Sequence, residues 1–193
     1  MIRLILVRHG NTFEEHETAV QVGARTDLSL TAKGRLQAEG VADYLLARGI
    51  APKAIYAGSL KRQAESAQIL SERLHVTVTH QAALTEIDYG PWEALPAEEI
   101  AKGWPKEYAA WTEEFVWPKG LFGSSLEEHK AQIENWLNFL RSTFASGDIV
   151  VGFTSNGLLR FFKNEKVKTG HFCELALLPQ GFEVRSWNVN PTR

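Results

Sequence analysis

Residues 2–10 read Ile-Arg-Leu-Ile-Leu-Val-Arg-His-Gly. The stretch from Ile2 to Val7 is apolar except at Arg3 and shows no polar–apolar alternation. A strand of that kind has both faces covered, as in a parallel sheet between layers of helix. Arg8, His9 and Gly10 then lie where the strand ends, which is where open α/β sheets bind ligands.

The chain beyond repeats the alternation of strand and helix. Thr31 is placed to cap a helix over 32–47, with Ala38, Val41, Ala42 and Leu45 on one face. Gly49 and Pro52 end it. A short strand at 53–57 precedes a helix at 60–74, whose inner face carries Ala64, Ala67, Leu70 and Leu74. Residues 76–80 alternate as a strand. Residues 81–125 are dense in Pro and Gly and hold four of the six tryptophans. They predict an insertion at about 90–125 with one helix near 97–115, serving as a lid or pocket wall. Ser124 or Ser125 caps a helix over 126–145, with Ile133, Trp136, Leu137, Leu140 and Phe144 as its core stripe. A third buried strand at 148–154, a helix near 157–163 and strands at 172–178 and 182–187 complete the chain. The pattern predicts an α/β three-layer sandwich, a mainly parallel sheet flanked by helices, in a single domain over 1–193.

Composition narrows the function classes. With 44% hydrophobic and 23% charged residues the chain is an ordinary globular one, not a disordered one. A net charge of -2 provides no broad basic field for nucleic acid. The one cysteine, Cys173, can form neither an internal disulfide nor a multi-cysteine metal site, which suits a reducing compartment. The apolar run at 2–7 is shorter than a signal-peptide core, and no stretch reaches bilayer length. The expectation is a soluble cytoplasmic protein with neither nucleic acid nor membrane as partner.

Three segments carry chemistry. Arg8-His9-Gly10 sets an imidazole, which can attack phosphorus, beside a guanidinium fork that fits phosphate oxygens. Ser59-Leu60-Lys61-Arg62-Gln63-Ala64-Glu65-Ser66-Ala67 opens a helix after a strand, where an arginine in the first turn can reach the same end of the sheet. Its plainer reading is a solvated helix face. Leu84-Thr85-Glu86-Ile87-Asp88-Tyr89-Gly90-Pro91-Trp92-Glu93 holds three carboxyls in an aromatic context. A carboxyl in a dry pocket has a raised pKa and suits general acid work. The residues alone do not choose among Glu86, Asp88 and Glu93. Trp92, Trp104, Trp111 and Trp117 either pack the insertion onto the sheet or line a pocket for an aromatic or sugar-like leaving group.

In order and spacing, these segments resemble the histidine phosphatase (phosphoglycerate-mutase-like) superfamily. Residues 23–38, GARTDLSLTAKGRLQA, match a further family segment. The resemblance implies His9 as the phosphate-accepting nucleophile and Glu86 as the acid that protonates the leaving oxygen. It implies Arg8 and Arg62 as ligands of the phosphoryl oxygens, with Asn11 shaping the phosphate loop. No metal or other cofactor is implied, because two arginines and the imidazole supply the positive charge. The implied partner is a small phosphorylated substrate or inorganic phosphate. The implied activity is a metal-independent phosphomonoesterase working through phosphohistidine. A mutase-type phosphotransferase and a non-catalytic phospho-ligand binder are the alternatives.

The chain departs from the family at one telling place. The family's second histidine, in a Ser-His-Gly turn after a late strand, is replaced by Asn156 in Ser155-Asn156-Gly157. Asn156 still offers an amide donor to phosphate but no charge. A further family segment, Gly-Glu-Ser, is matched only by Gly123-Ser124-Ser125. His171 and His16 are either surface residues or stand-ins for the missing imidazole. His75, His80 and His129 have no supporting context.

Overall fold

The computed structural model describes residues 1–192. Six strands run as β1 (Ile2–Arg8), β2 (Ala54–Ala57), β3 (Val78–His80), β4 (Ile149–Thr154), β5 (Phe172–Leu177) and β6 (Phe182–Val189). They form one sheet in the order β3-β2-β4-β1-β5-β6. The four strands from β3 to β1 are mutually parallel, and β5 and β6 are added antiparallel. The α/β expectation holds, with β1 between β4 and β5 near the middle of the sheet.

The apolar run of β1 is continuous because its two faces bury different cores. Leu4 and Leu6 pack on the side of α5 (Leu126–Thr143), with Trp136, Leu137 and Leu140. Ile5 and Val7 face the other way, into Val41, Leu45 and Leu70 of α1 (Ala32–Ala47) and α2 (Lys61–Leu74). All four β1 side chains are at most 1% exposed, so each contributes roughly 1.5–3 kcal/mol by leaving water. Helices on both faces make the three layers.

The caps follow the sequence. The Thr31 side chain accepts from the Gly34 N–H, starting α1. Ser125 rather than Ser124 caps α5, in a reciprocal capping box with Glu128.

Two expected helices are corrected. The single helix near 97–115 is broken into α3 (Ala97–Gly103) and α4 (Pro105–Ala109), followed by a π turn at Ala110–Glu114. Pro105 cannot donate to the α3 ladder and pushes Trp104 out of the helical region, to φ -137° and ψ 61°. Phe115, at φ 60°, ends the π turn. The late helix α6 runs only over Asn156–Leu159. Beyond it, Phe161 and Phe162 make i→i+3 bonds to Leu158 and Leu159. That tighter turn sends Phe162 into the core on the α5 side and Phe161 against the aromatic cluster of residues 87–122. No helix among the described residues is long and apolar enough to cross a membrane.

Candidate active site

A cleft of about 460 Å³ opens at the carboxyl ends of β1 and β4. Arg8, His9, Asn11, Glu86 and Asn156 all line it. Arg62 does not line it but lies fully buried beneath, and its charge acts on both His9 and Glu86.

The loop after β1 is tied from every side. The His9 N–H donates to Thr154 O at 3.1 Å, and the Gly10 N–H to Ser66 Oγ at 3.3 Å. The Asn11 N–H donates to Gln37 Oε1 at 2.8 Å, and the Thr31 N–H to Asn11 O at 2.9 Å. Gly10 is required for this closeness, because a Cβ there would lie 2.1 Å from the Gly34 carbonyl oxygen. Residues 167–171 brace the loop from behind. The Gly170 N–H donates to the carbonyls of Arg8 and His9, both at 3.1 Å, and the Arg8 N–H donates to His171 O at 3.0 Å. The Thr169 hydroxyl donates to Asn11 Oδ1.

His9 is 6% exposed, and its Nδ1 lies 2.8 Å from the Gly10 carbonyl oxygen. A carbonyl only accepts, so Nδ1 carries the proton and Nε2 keeps its lone pair. Burial first, then the charges of Arg8 and Arg62, hold the imidazole well below the usual histidine range. It is therefore neutral at pH 7. A neutral imidazole oriented through Nδ1 can attack phosphorus with Nε2.

The two arginines are incompletely satisfied. Arg8 Nη1 donates to Val167 O at 2.6 Å. Arg62 donates to Thr26 O at 2.9 Å and Gly23 O at 3.2 Å, which explains why the 23–38 segment matters. The Nε atoms of both are buried without a partner. Neither guanidinium has a carboxylate ion pair among the described residues. Buried cations in that state are suited to an anion of two or more oxygens.

The structure separates the three carboxyls of residues 86–93. Asp88 accepts from the Gly90 N–H and pairs with Arg25, and Glu93 accepts from the Arg25 N–H, the Thr26 hydroxyl and the Tyr89 N–H. Both hold loops together. Only Glu86 lines the cleft. It accepts from the Ile87 N–H at 2.9 Å and the Gly157 N–H at 3.2 Å. Burial raises its pKa against the opposing pull of those two bonds and of Arg62 and Arg8. A carboxyl raised in this way can deliver a proton near neutral pH.

Gly157 allows the turn after β4 to sit on Glu86. A Cβ there would lie 2.2 Å from the Tyr89 hydroxyl and 2.4 Å from Glu86 Oε1. Neither neighbour yields easily, since both are buried. Gly157→Ala is expected to cost about 1–3 kcal/mol of stability by overpacking, read as a lower urea midpoint at unchanged m.

Asn156 has its Oδ1 engaged by the Val167 N–H at 2.8 Å, which leaves its amide nitrogen as the free donor at the cleft. His16 is exposed, and His171 lines a separate cavity with Tyr44 and Lys168, so neither stands in for an imidazole at position 156. His129 packs against Trp117 and Phe161 and bonds Ser124. Among the tryptophans, Trp92 and Trp117 are core residues of the aromatic cluster, Trp104 packs at its edge, and Trp111 belongs both to that cluster and to the cleft wall. No group of three or more His, Cys, Asp or Glu able to hold a metal ion occurs among the described residues.

Two cleft residues escaped the sequence reading. Tyr89 is 3% exposed, and its phenol is pushed well above the usual range by burial and by Glu86. It stood in the quoted 84–93 segment, three residues from Glu86. Arg160 is 6% exposed and lines the cleft beside Trp111. Its offset of four from Asn156 puts it on the same helical face, which was the available signal.

Comparison with known proteins gives the family and the fold. Phosphoserine phosphatase 1 of Hydrogenobacter thermophilus is 27% identical over 151 residues, covering 78% of this chain and 70% of that protein. The 2,3-bisphosphoglycerate-dependent phosphoglycerate mutase of Corynebacterium diphtheriae is 28% identical over 183 residues, covering 90% and 71%. A mycobacterial glucosyl-3-phosphoglycerate phosphatase, solved with inorganic phosphate, superposes with a TM-score of 0.82 at 22% identity, over 99% of each chain. Residues 4–189 match the model of branch 1 of the histidine phosphatase superfamily, and the chain belongs to that family.

Proposed function

We propose that the protein is a phosphomonoesterase for a small phosphorylated metabolite, acting through a phosphohistidine at His9 and needing no metal. One observation carries the reading: an imidazole whose Nδ1 is fixed on the Gly10 carbonyl, leaving Nε2 bare, shares a cleft with a buried carboxyl whose pKa burial raises. Nε2 attacks phosphorus and the ester P–O bond breaks. Glu86 gives its proton to the departing oxygen. Water then attacks the phosphohistidine, Glu86 takes a proton from it, and inorganic phosphate leaves with Nε2 restored. Arg8 holds the phosphoryl oxygens and Arg62 adds its charge from beneath, with the Asn156 amide as a further donor and Asn11 fixing the loop. The whole of 1–193 acts as one domain, with residues 90–125 as the wall of the cleft. The names of the relatives, phosphatases and a mutase of phosphorylated metabolites, support the substrate class.

A second reading, a phospho-ligand binder without turnover, is favoured by the uncharged residue at 156. Phosphate release from a panel of aryl and metabolite phosphates, without added metal, separates the readings. The protein is expected to turn over slowly, and Asn156→His to be about a hundredfold faster, by regaining a charged donor to the transferring group. No release from either protein, with inorganic phosphate still bound, would replace the phosphatase reading by the binder. Phosphate appearing on an added acceptor rather than free in solution would assign a mutase.

A further inference from the structure

Arg160 is a further cation of the cleft. It is nearly buried, and no carboxylate pairs with it among the described residues. Its guanidinium is locked in place. Nε and Nη2 donate to Asn164 Oδ1 at 2.9 and 2.7 Å, and Nη2 also reaches Trp111 O at 2.9 Å and Thr112 O at 3.4 Å. The guanidinium carbon sits 4.9 Å from the Trp111 ring centroid and 4.4 Å from that of Phe115. All these partners are neutral. Nη1 makes no hydrogen bond among the described residues. Fastening the π turn takes up Nη2, and a neutral donor would serve that purpose. A buried cation left without a counter-charge is costly, and on the wall of a cleft it is suited to meet an anion.

Arg160 lines the same cleft as His9 and Glu86, on the wall formed by Trp111 and Thr112, and its charge acts on Tyr89. Lys166, exposed and free of ion pairs among the described residues, lines the same cleft. In the proposed mechanism the transferring phosphoryl group is met by Arg8, with Arg62 buried beneath the cleft. Arg160 and Lys166 are the further basic side chains of that cleft.

We infer that Arg160, helped by Lys166, forms a subsite for a second anionic group on the substrate, so that the preferred ester carries a carboxylate or a second phosphate on its leaving group. This rests on the phosphatase reading above. Arg160 is a specificity-determining residue, and it sets preference among esters rather than the rate of phosphoryl transfer.

The test uses matched pairs. Phosphoserine is compared with phosphoethanolamine, which lacks only the carboxylate, and fructose 1,6-bisphosphate with fructose 6-phosphate. The protein is compared with Arg160→Gln, Arg160→Lys and Lys166→Gln. At least one ester with the added anionic group is expected to exceed its counterpart by about tenfold or more in kcat/KM. Which pair shows it distinguishes carboxylate from phosphate. Arg160→Gln is expected to bring that ratio close to one. Arg160→Lys should keep part of the preference, and Lys166→Gln, an exposed change that leaves the fold alone, should lower it partially. An unchanged ratio in both Gln variants overturns the inference, as does equal turnover within every pair by the unmodified protein. If nothing is hydrolysed, the phosphatase reading fails separately. The same pairs are then titrated against tryptophan fluorescence. Tighter binding of the anionic partner, lost in Arg160→Gln, supports the subsite, and equal affinity overturns it.

Discussion

His9→Ala is expected to lower kcat/KM for every ester by at least about a thousandfold, because in the proposed mechanism it removes the atom that accepts the phosphoryl group. No other histidine is placed to take over, since His16 is exposed and His171 faces another cavity. The fold should survive, as the neutral ring makes one side-chain hydrogen bond, to Gly10 O. Inorganic phosphate should still bind, because Arg8 and Arg62 and their carbonyl anchors are untouched. Rapid quench of the unmodified protein with labelled ester should trap an acid-labile, base-stable phosphoenzyme that the variant lacks. Activity within tenfold of the original, or a label that persists in His9→Ala, would end the phosphohistidine mechanism.

Glu86→Gln is the second large effect, and it is selective. A proton is needed most when the departing oxygen is a poor leaving group. On alkyl phosphates kcat/KM should fall by about 10²–10⁴. On an aryl phosphate with an acidic phenol it should fall far less, because kcat/KM reports only steps up to departure of the leaving group. The pH profile carries the same information. Burial raises Glu86, so the acid stays protonated above the usual carboxylate range, and the alkaline limb of kcat/KM should lie correspondingly high. Burial and two arginines lower His9, so the acid limb should lie below the ordinary histidine value. The variant should lose the alkaline limb and keep the acid one. Stability gives an independent check. A carboxyl whose folded pKa is raised binds more protons folded than unfolded, so its contribution weakens as pH rises between the two values. Glu86→Gln should therefore flatten the loss of Tm across that window. An equal fall on aryl and alkyl esters would point to a structural role instead.

How much of this was readable in the sequence depends on the range of the interactions. The β1 run, the Thr31 cap and the α5 stripe are local patterns, and they fold as read. Arg8 and His9 were legible because a motif at a strand end carries its own geometry. Glu86 could not be told from Asp88 and Glu93 by chemistry, because what separates them is a distant loop. Glu93 is occupied by Arg25 and Thr26, and Glu86 by Gly157 across the cleft. The break at Pro105 was visible in principle, but the π turn that follows depends on packing around Trp111. Arg160 was hidden because Leu-Leu-Arg-Phe-Phe reads as a core helix with one charge turned to solvent. In the structure that charge is turned inward.

The place of β1 also has a consequence for synthesis. Its neighbours on both sides, β4 and β5, come from the far end of the described chain, with Arg3 against Ile149 and Ile2 against Leu177. In chain order β1 comes before every other element, so it waits unpaired until β4 and β5 have been made. Such non-local pairing slows folding and leaves an apolar segment open to self-association in the interval. Truncated chains ending before β4 should therefore depend on chaperones and carry no site at all.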